Sequence, residues 1–585
     1  MNRGVRFRFS LKFEIDGKLK SVMVEETLAP FTHPSPSRSA WLRRVAVSSL
    51  PDGYELVFSS STTESGVGNP ASIDARGKIK SRLETATSKP ASTPTLNLRL
   101  TNDKGQASFA VRYMATLKRP PLQVTLKPLP PATANKITSM PGFDGVQLPV
   151  STKIMPTAMT ILNDGSLAFA SLEGHIYIAK DTDGDGVEDK LTMFEEGLSA
   201  PYGIIQDGDS LLVSHKPEIL RLRDTDGDGR ADERTVFSSG WGFNDNYHDW
   251  TCGIAKDAKG NFYVGLGSDY AQLKRPQDVS RWRGKVLQIS PDGTPRPFAH
   301  AFRYPTGIAI DGKGNIFCTD NQGVQNTFNE LNHLRDGFHF GVPKNHEQSL
   351  KVKAHVPAIQ IPHPWTRSIN GITFLPEDYP QPGIAGDGIG CEFNGKHLIR
   401  FTHHEVDGIL QGATYFLSKP DFPDADANFL GPLSITTAQN GDIYIGSIHD
   451  SGWLGGQNTG SIVKLTPSSE LPNGIKQIQA TAYGFEIQFQ KPVDRTAAEN
   501  LKSYSLSGYT REWKGGYATP DSARFQPKVR SAELSTDGTS VRLKTSELKT
   551  GFVYEINCLI KQNDTPLWPA TGHYTLHRIP GGSSQ

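Results

Sequence analysis

Cysteine is scarce in this chain: four in 585 residues, Cys252, Cys318, Cys391 and Cys558, all far apart. They form no CxxC or CxxCH, which removes the spacing of a zinc site and of covalently attached haem, and their separation assigns no disulfide. No apolar stretch approaches about eighteen residues, so no membrane-spanning helix is encoded. Neither sign of charge dominates. The formal net charge is +1 and the isoelectric point about 7.7, so the totals point to neither nucleic acid nor an acidic membrane surface. The opening MNRGVRFRFSLKFEIDG alternates at Val5, Phe7, Phe9, Leu11 and Phe13, a strand pattern where a signal peptide would run continuously apolar.

Two stretches are nearly identical: DTDGDGVEDK at 181–190 and DTDGDGRADE at 224–233. Each places Asp at loop positions 1, 3, 5 and 9: Asp181, Asp183, Asp185 and Asp189, then Asp224, Asp226, Asp228 and Asp232. Gly186 and Gly229 stand at position 6, where the chain must turn around an ion, and Val187 and Arg230 offer a backbone carbonyl at position 7. Crowded carboxylates repel unless a hard cation neutralises them, so the pattern reads as two Ca2+ loops. Position 12 is Thr192 and Thr235, so the bidentate Glu of an EF-hand is missing, and the flanks read as strands. Calcium loops of that weak kind suit a periplasmic or extracellular protein.

The loops start 43 residues apart, the length of one propeller blade. A phrase recurs between about 150 and 467: PTAMTILNDGSLAFAS, PYGIIQDGDSLLVSH, TCGIAKDAKGNFYVGLGS, PTGIAIDGKGNIFCTD, INGITFLPED and PLSITTAQNGDIYIGS. Each copy is a short apolar strand, an Asn/Asp/Gly turn and a second, alternating strand, as a tight hairpin requires. With two outer strands per copy, six copies make a six-bladed β-propeller. The fold is therefore expected to be all-β. An N-terminal β-sandwich covers 1–118, a Pro-rich linker 119–149, the propeller 150–467, and a C-terminal Ig-like β-sandwich 468–585.

The propeller region resembles the glucose/sorbosone dehydrogenase family, the soluble pyrroloquinoline-quinone (PQQ) sugar dehydrogenases. FRYPTGIAIDGKGNIFCTDNQG, then NELN and DGFHFGVP, carry the likeness, with RGKVLQISPDG at 283–293 and SINGITF at 368–374. The resemblance implies PQQ and Ca2+ as cofactors, hydride transfer from a sugar or alcohol hydroxyl, and His248 in NDNYHDW as the base; Asp249 or another carboxylate is a candidate to orient it. It implies Arg303 as the cation that polarises the quinone, and Gln322, Gly323, Glu330 and Asn332 as cofactor-site residues. Trp365 and Arg367, in HPWTRS, are candidates to stack on and hydrogen-bond a sugar ring. Three features depart from the family pattern: His248 precedes Gly253 by five residues, more than the pattern allows, Tyr304 replaces an Asn and Asn329 an Asp. Electrons would leave to an external acceptor, a c-type cytochrome on a separate chain since no CxxCH is present.

Two other readings compete, a calcium-stabilised carbohydrate- or protein-binding module without catalysis, and a lactonase-like hydrolase with an axial calcium; fold alone does not choose. His403 and His404 are adjacent, so on a strand they face opposite sides and cannot share an ion; they are expected at the surface. Lys274, Arg275, Arg281, Arg283 and Lys285 read as a basic, solvated or sugar-contacting loop. Trp241, Trp250 and Trp453 read equally well as packing between blades.

Overall fold

A computed structural model describes residues 5–581 apart from 16–17, 32–37, 50–54, 62–69, 77, 83–94, 102–105, 117–132, 138–139, 244–248, 269–279, 322–326, 343–353, 364, 419–428, 453–454 and 513–518. The chain divides into two compact units, Met1–Pro128 and Leu129–Gln585. The first holds a five-stranded and a three-stranded antiparallel sheet. The alternating segment Val5 to Phe13 is a strand, and Val5–Ile15 pairs with Lys18–Phe31 in the register Ile15↔Lys18.

In the second unit the repeated phrase becomes six antiparallel sheets around one axis. The innermost strands are Pro156–Ile161, Gly203–Asp207, Thr251–Lys256, Pro305–Ile310, Ile369–Phe374 and Pro432–Thr437. Each touches the next, and the ring closes between the first and the sixth. The structure is thus a six-bladed propeller. The spacing at the axis explains the small residue in PYG, TCG, PTG and ING. A Cβ at Gly203 would collide with the Gly253 carbonyl, and one at Gly307 with the Asn370 carbonyl. Hydroxyls fasten neighbouring blades there. Ser214 Oγ donates to the Gly253 carbonyl at 2.9 Å and Thr319 Oγ1 to the Asn370 carbonyl at 3.1 Å.

Blade six is closed by a strand from the other end of the propeller. Phe143–Gln147 pairs with Thr459–Pro467, and Asn135–Ile137 adds beyond it. These residues fall in the segment expected to be linker. FDGVQ has no alternation to mark it, and its strand state comes from the partner edge it covers.

Apart from a short two-stranded ribbon, the C-terminal strands form two sheets around a core that includes Phe485, Ile487, Val541, Tyr554 and Tyr574. One sheet is continuous with blade five. Gly412, Ala413 and Thr414 of its outer strand pair with Thr575, Tyr574 and His573, making eight hydrogen-bonded strands. Arg400 of blade five donates to the carbonyls of Lys476 at 2.7 Å and Ile475 at 2.8 Å. The sandwich is built onto the propeller.

The seam between blades six and one holds a buried charge cluster. Lys464 lies 3.3 Å from Glu188 and 3.2 Å from Asp442, and donates to the Gly186 carbonyl at 2.7 Å. Removing the cation would leave two buried carboxylates facing each other, a loss of about 3–5 kcal/mol. Lys464→Ala is therefore expected to lower the unfolding free energy in urea by that amount. Lys491→Ala, at the exposed pair with Glu470, should change stability by less than about 1 kcal/mol. Equal urea midpoints for the two variants would contradict the latch.

Candidate functional site

The segments leading into the innermost strands gather at one mouth of the ring. Met155, Leu172, Tyr202, Trp250, Cys252, Phe393, Leu433 and Ile448 form a single apolar cluster. These residues come from five different blades, so the cluster lies across the axis as a floor. Trp250 stacks on Tyr202 with centroids 4.4 Å apart and meets Tyr304 edge-on at 6.3 Å. The Arg303 guanidinium lies 5.4 Å from the Tyr304 ring. Trp250 and Arg303 are half-buried. An axial cavity of about 90 Å3 is lined by all six innermost strands, including Thr157, Tyr202, Asn370 and Ser434. No Asp or Glu is among its described lining residues.

Below the rim, buried acids hold the lead-in loops. Asp320, fully buried at the end of blade four's second strand, accepts the Arg303 N–H at 2.8 Å and the Tyr304 N–H. Burial pushes its carboxyl up to about 7, opposed by the Arg303 N–H bond and positive charge. Glu330 pairs across from Asp320, and burial together with that neighbour's charge drives its carboxyl well above the ordinary range. Asn332 Nδ2 contacts Glu330 at 3.4 Å, and Asn332 Oδ1 is buried without a partner among the described residues. Blade five repeats the device. Glu392 accepts the N–H groups of Arg367 and Ser368, each at 2.9 Å, and those of Asn394 at 3.0 Å and Gly395 at 3.1 Å. Two arginines on adjacent loops are thus fixed at the backbone from below.

The structure brings Arg303, Glu330 and Asn332 together in blade four. His248, Gln322 and Gly323 lie outside the described residues. Trp365 is not at the mouth surface. It packs on Phe416 at 4.0 Å and His573 at 4.4 Å, because the sheet continuing blade five offers an apolar wall beside it. Arg367 is exposed. Asp249 forms a buried ion pair with Arg283 at 2.9 Å. Asn329 spends its amide on the Thr366 carbonyl at 2.7 Å and hydroxyl at 3.0 Å.

Three other expectations are corrected or sharpened. His403 and His404 do face opposite sides, yet neither is a surface residue: His403 Nε2 meets Asp311 at 3.0 Å and His404 Nε2 meets Tyr574 Oη at 3.1 Å. Of the basic loop, Arg283 and Lys285 are buried and Arg281 lies over Trp282 at 5.2 Å, whereas Lys274 and Arg275 are outside the described residues. Trp241 is fully buried, donating to Thr251 Oγ1 at 3.1 Å, and Trp453 is outside the described residues. The aromatic platform of Tyr202, Trp250 and Tyr304 was the part sequence reasoning missed. Its signal was an aromatic recurring just before the blade's small residue, in PYG, WTCG and RYPTG.

The two Asp-rich loops occupy equivalent places, joining the third and fourth strands of blades one and two. Their internal bonding is matched. Asp181 accepts the N–H groups of Gly184 at 2.7 Å and Gly186 at 2.9 Å; Asp224 accepts those of Gly227 and Gly229, both at 2.8 Å. Asp185 accepts the Val187 N–H at 2.8 Å and Asp228 the Arg230 N–H at 2.9 Å. Carboxylate oxygens of Asp181, Asp183 and Asp185 lie within 4.8 Å of one another, as do those of Asp224, Asp226 and Asp232. Asp189 is held by the Thr182 N–H at 2.8 Å. These exposed oxygen sets fit a hard divalent cation such as calcium. Each loop also docks on the preceding blade: Glu188 bonds Tyr444 and Lys464 of blade six, and the Ala231 N–H donates to the Phe194 carbonyl of blade one at 2.8 Å.

Fold and site together define a β-propeller with an aromatic, arginine-bearing mouth. Residues 156–373 match a family model described as a domain of unknown function, DUF7133. No curated protein matches in sequence. Among solved structures the chain is similar to a glucose dehydrogenase-type oxidoreductase from Thermus thermophilus, at 18% identity and TM-score 0.42, covering 57% of this chain and 99% of that one. It is similar to the PQQ-bound aldose sugar dehydrogenase of Streptomyces coelicolor, at 16% identity and TM-score 0.41, covering 57% and 99%. A third is the holo PQQ domain of pyranose dehydrogenase from Coprinopsis cinerea, at 13% identity and TM-score 0.42, covering 58% and 98%.

The calcium expectation is directly measurable. A site filled at a hundredfold excess over its Kd contributes about 2.7 kcal/mol. Chelation should therefore lower the melting temperature, and Asp183→Ala combined with Asp226→Ala should reproduce the drop and abolish further sensitivity to chelator. A melting curve indifferent to calcium would contradict the assignment.

Proposed function

We propose that this chain is a quinoprotein-type dehydrogenase that oxidises a sugar or alcohol hydroxyl at the propeller mouth, with PQQ and calcium as cofactors. The observation that carries the reading is the stacked Tyr202–Trp250 pair beside Tyr304 and Arg303. A flat apolar face next to a guanidinium suits a planar, polyanionic quinone, and Arg367 on the adjacent loop supplies a second cation. Bound PQQ would supply the two-electron acceptor for hydride. Arg303 would hold a carboxylate or quinone oxygen by charge-assisted hydrogen bonds, on a loop whose N–H groups are fixed by Asp320. The apolar floor would exclude water from below. His248 would accept the hydroxyl proton at a ring nitrogen, since an imidazole titrates near neutrality. The calcium loops fit a protein working where calcium is abundant, and a separate c-type cytochrome is the proposed acceptor.

The non-catalytic binding module is the second reading. It is favoured by Asn329, whose amide is already spent on Thr366, and by Tyr304 filling a position that the family keeps polar. A hydrolase with an axial calcium is disfavoured by the absence of carboxylates among the described cavity residues.

The test is a PQQ titration of the purified protein in calcium-containing buffer, followed by aldose-dependent reduction of an artificial acceptor dye. Saturable binding and turnover are expected, with Trp250→Ala and Arg303→Ala weakening binding. His248→Ala should retain binding and lose about 10²–10⁴-fold in kcat. A folded protein that does not bind PQQ would overturn the reading in favour of the binding module.

A further inference from the structure

We propose that the C-terminal sandwich is part of the scaffold of the mouth, and that Arg511 is the positioning residue through which it acts on the blade-four wall carrying Glu330. The proposal deepens the dehydrogenase reading and rests on it for the identity of the ligand.

Arg511 follows the sandwich strand Tyr504–Thr510, and its side chain is only 4% exposed. It reaches out of its own domain in two directions. Nη1 donates to the Thr327 carbonyl at 3.3 Å and Nη2 to the His363 carbonyl at 2.6 Å, while Nε pairs with Asp521 at 2.8 Å. Its guanidinium also lies over the Phe328 ring at 4.7 Å. Phe328 is itself buried in a small cluster with Tyr509 and Val553 of the sandwich.

The two carbonyls are well chosen. Thr327 and Phe328 run directly into the strand Asn329–Leu334, which carries Glu330 and Asn332. His363 leads to Thr366, which binds the Asn329 amide, and on to Arg367 and Ser368, whose N–H groups sit on Glu392. One planar cation therefore ties the start of the Glu330 strand to the lead-in of blade five. A guanidinium can bridge two carbonyls at a fixed separation and stack on a ring at once; an ammonium cannot. The main junction between sandwich and propeller, the pairing of Gly412–Thr414 with His573–Thr575 and the Arg400 bonds to Ile475 and Lys476, does not involve Arg511. Its loss should loosen the mouth locally and leave the fold intact.

The experiment compares the full-length wild type with Arg511→Ala, Arg511→Lys and Asp521→Asn. Hydrogen exchange is followed over 327–334 and 363–368, and PQQ is titrated in calcium buffer. The expected result is exchange faster by about tenfold or more in those two segments for both Arg511 variants, with blade two unchanged. PQQ affinity should fall by about ten- to hundredfold. Asp521→Asn, which keeps both carbonyl bonds, should stay near the wild type. If Arg511→Ala fails to fold, Arg511→Lys carries the same prediction. Unchanged exchange in the two segments would overturn the clamp, and so would loosened segments with unaltered PQQ affinity. If the wild type binds no PQQ, the dehydrogenase reading fails, while the exchange comparison still decides whether Arg511 holds the wall.

Discussion

Closing six blades around a narrow axis is the constraint on which the second unit depends. Adjacent innermost strands approach so closely that a side chain at Gly203 or Gly307 would strike the neighbouring blade's carbonyl. The same closeness lets Ser214 and Thr319 bond across the seam. Backbone contact at the axis brings the lead-in residues of successive blades together at the mouth. Tyr202, Trp250 and Tyr304 meet there because each precedes a strand that has no room to move.

Closure has to be secured where the ring begins and ends. Phe143–Gln147 completes blade six, and Lys464 holds Glu188 and Asp442 at the same seam. The first Asp-rich loop is bonded into that cluster through the Gly186 carbonyl, so the candidate calcium ligands lie directly on the closure. The second loop docks one seam further round. Around the other side, blade five is extended by the C-terminal sheet, and the sandwich reaches blade four through Arg511. Both flanking devices act on seams between blades, and rigid seams are what a preorganised mouth requires.

What was legible in the sequence follows from which interactions are periodic. The blade phrase recurs because each blade solves the same packing problem, so propeller, hairpins and Asp-rich loops could be read residue by residue. That Arg303, Glu330 and Asn332 share one wall was implied by the family resemblance carried by the FRYP and NELN segments, not by periodicity. Long-range pairing left no such mark. FDGVQ is a strand only because Thr459–Pro467 presents an edge to it. Trp365 turns to Phe416 and His573 because a sheet some two hundred residues later in the chain stands beside it. The ion pair of Asp249 with Arg283, at the far end of the same blade segment, likewise had no signal in the sequence.

On the proposed reading, the aromatic, arginine-bearing mouth would hold a planar quinone and the Asp-rich loops would hold calcium. The most direct measurement is a crystal structure of the full chain grown with PQQ and calcium, with anomalous data collected. The account predicts planar density on the Tyr202–Trp250–Tyr304 platform within hydrogen-bonding reach of Arg303, and anomalous peaks among Asp181, Asp183 and Asp185 and among Asp224, Asp226 and Asp232. Ordered crystals with an unoccupied mouth at saturating PQQ would contradict it.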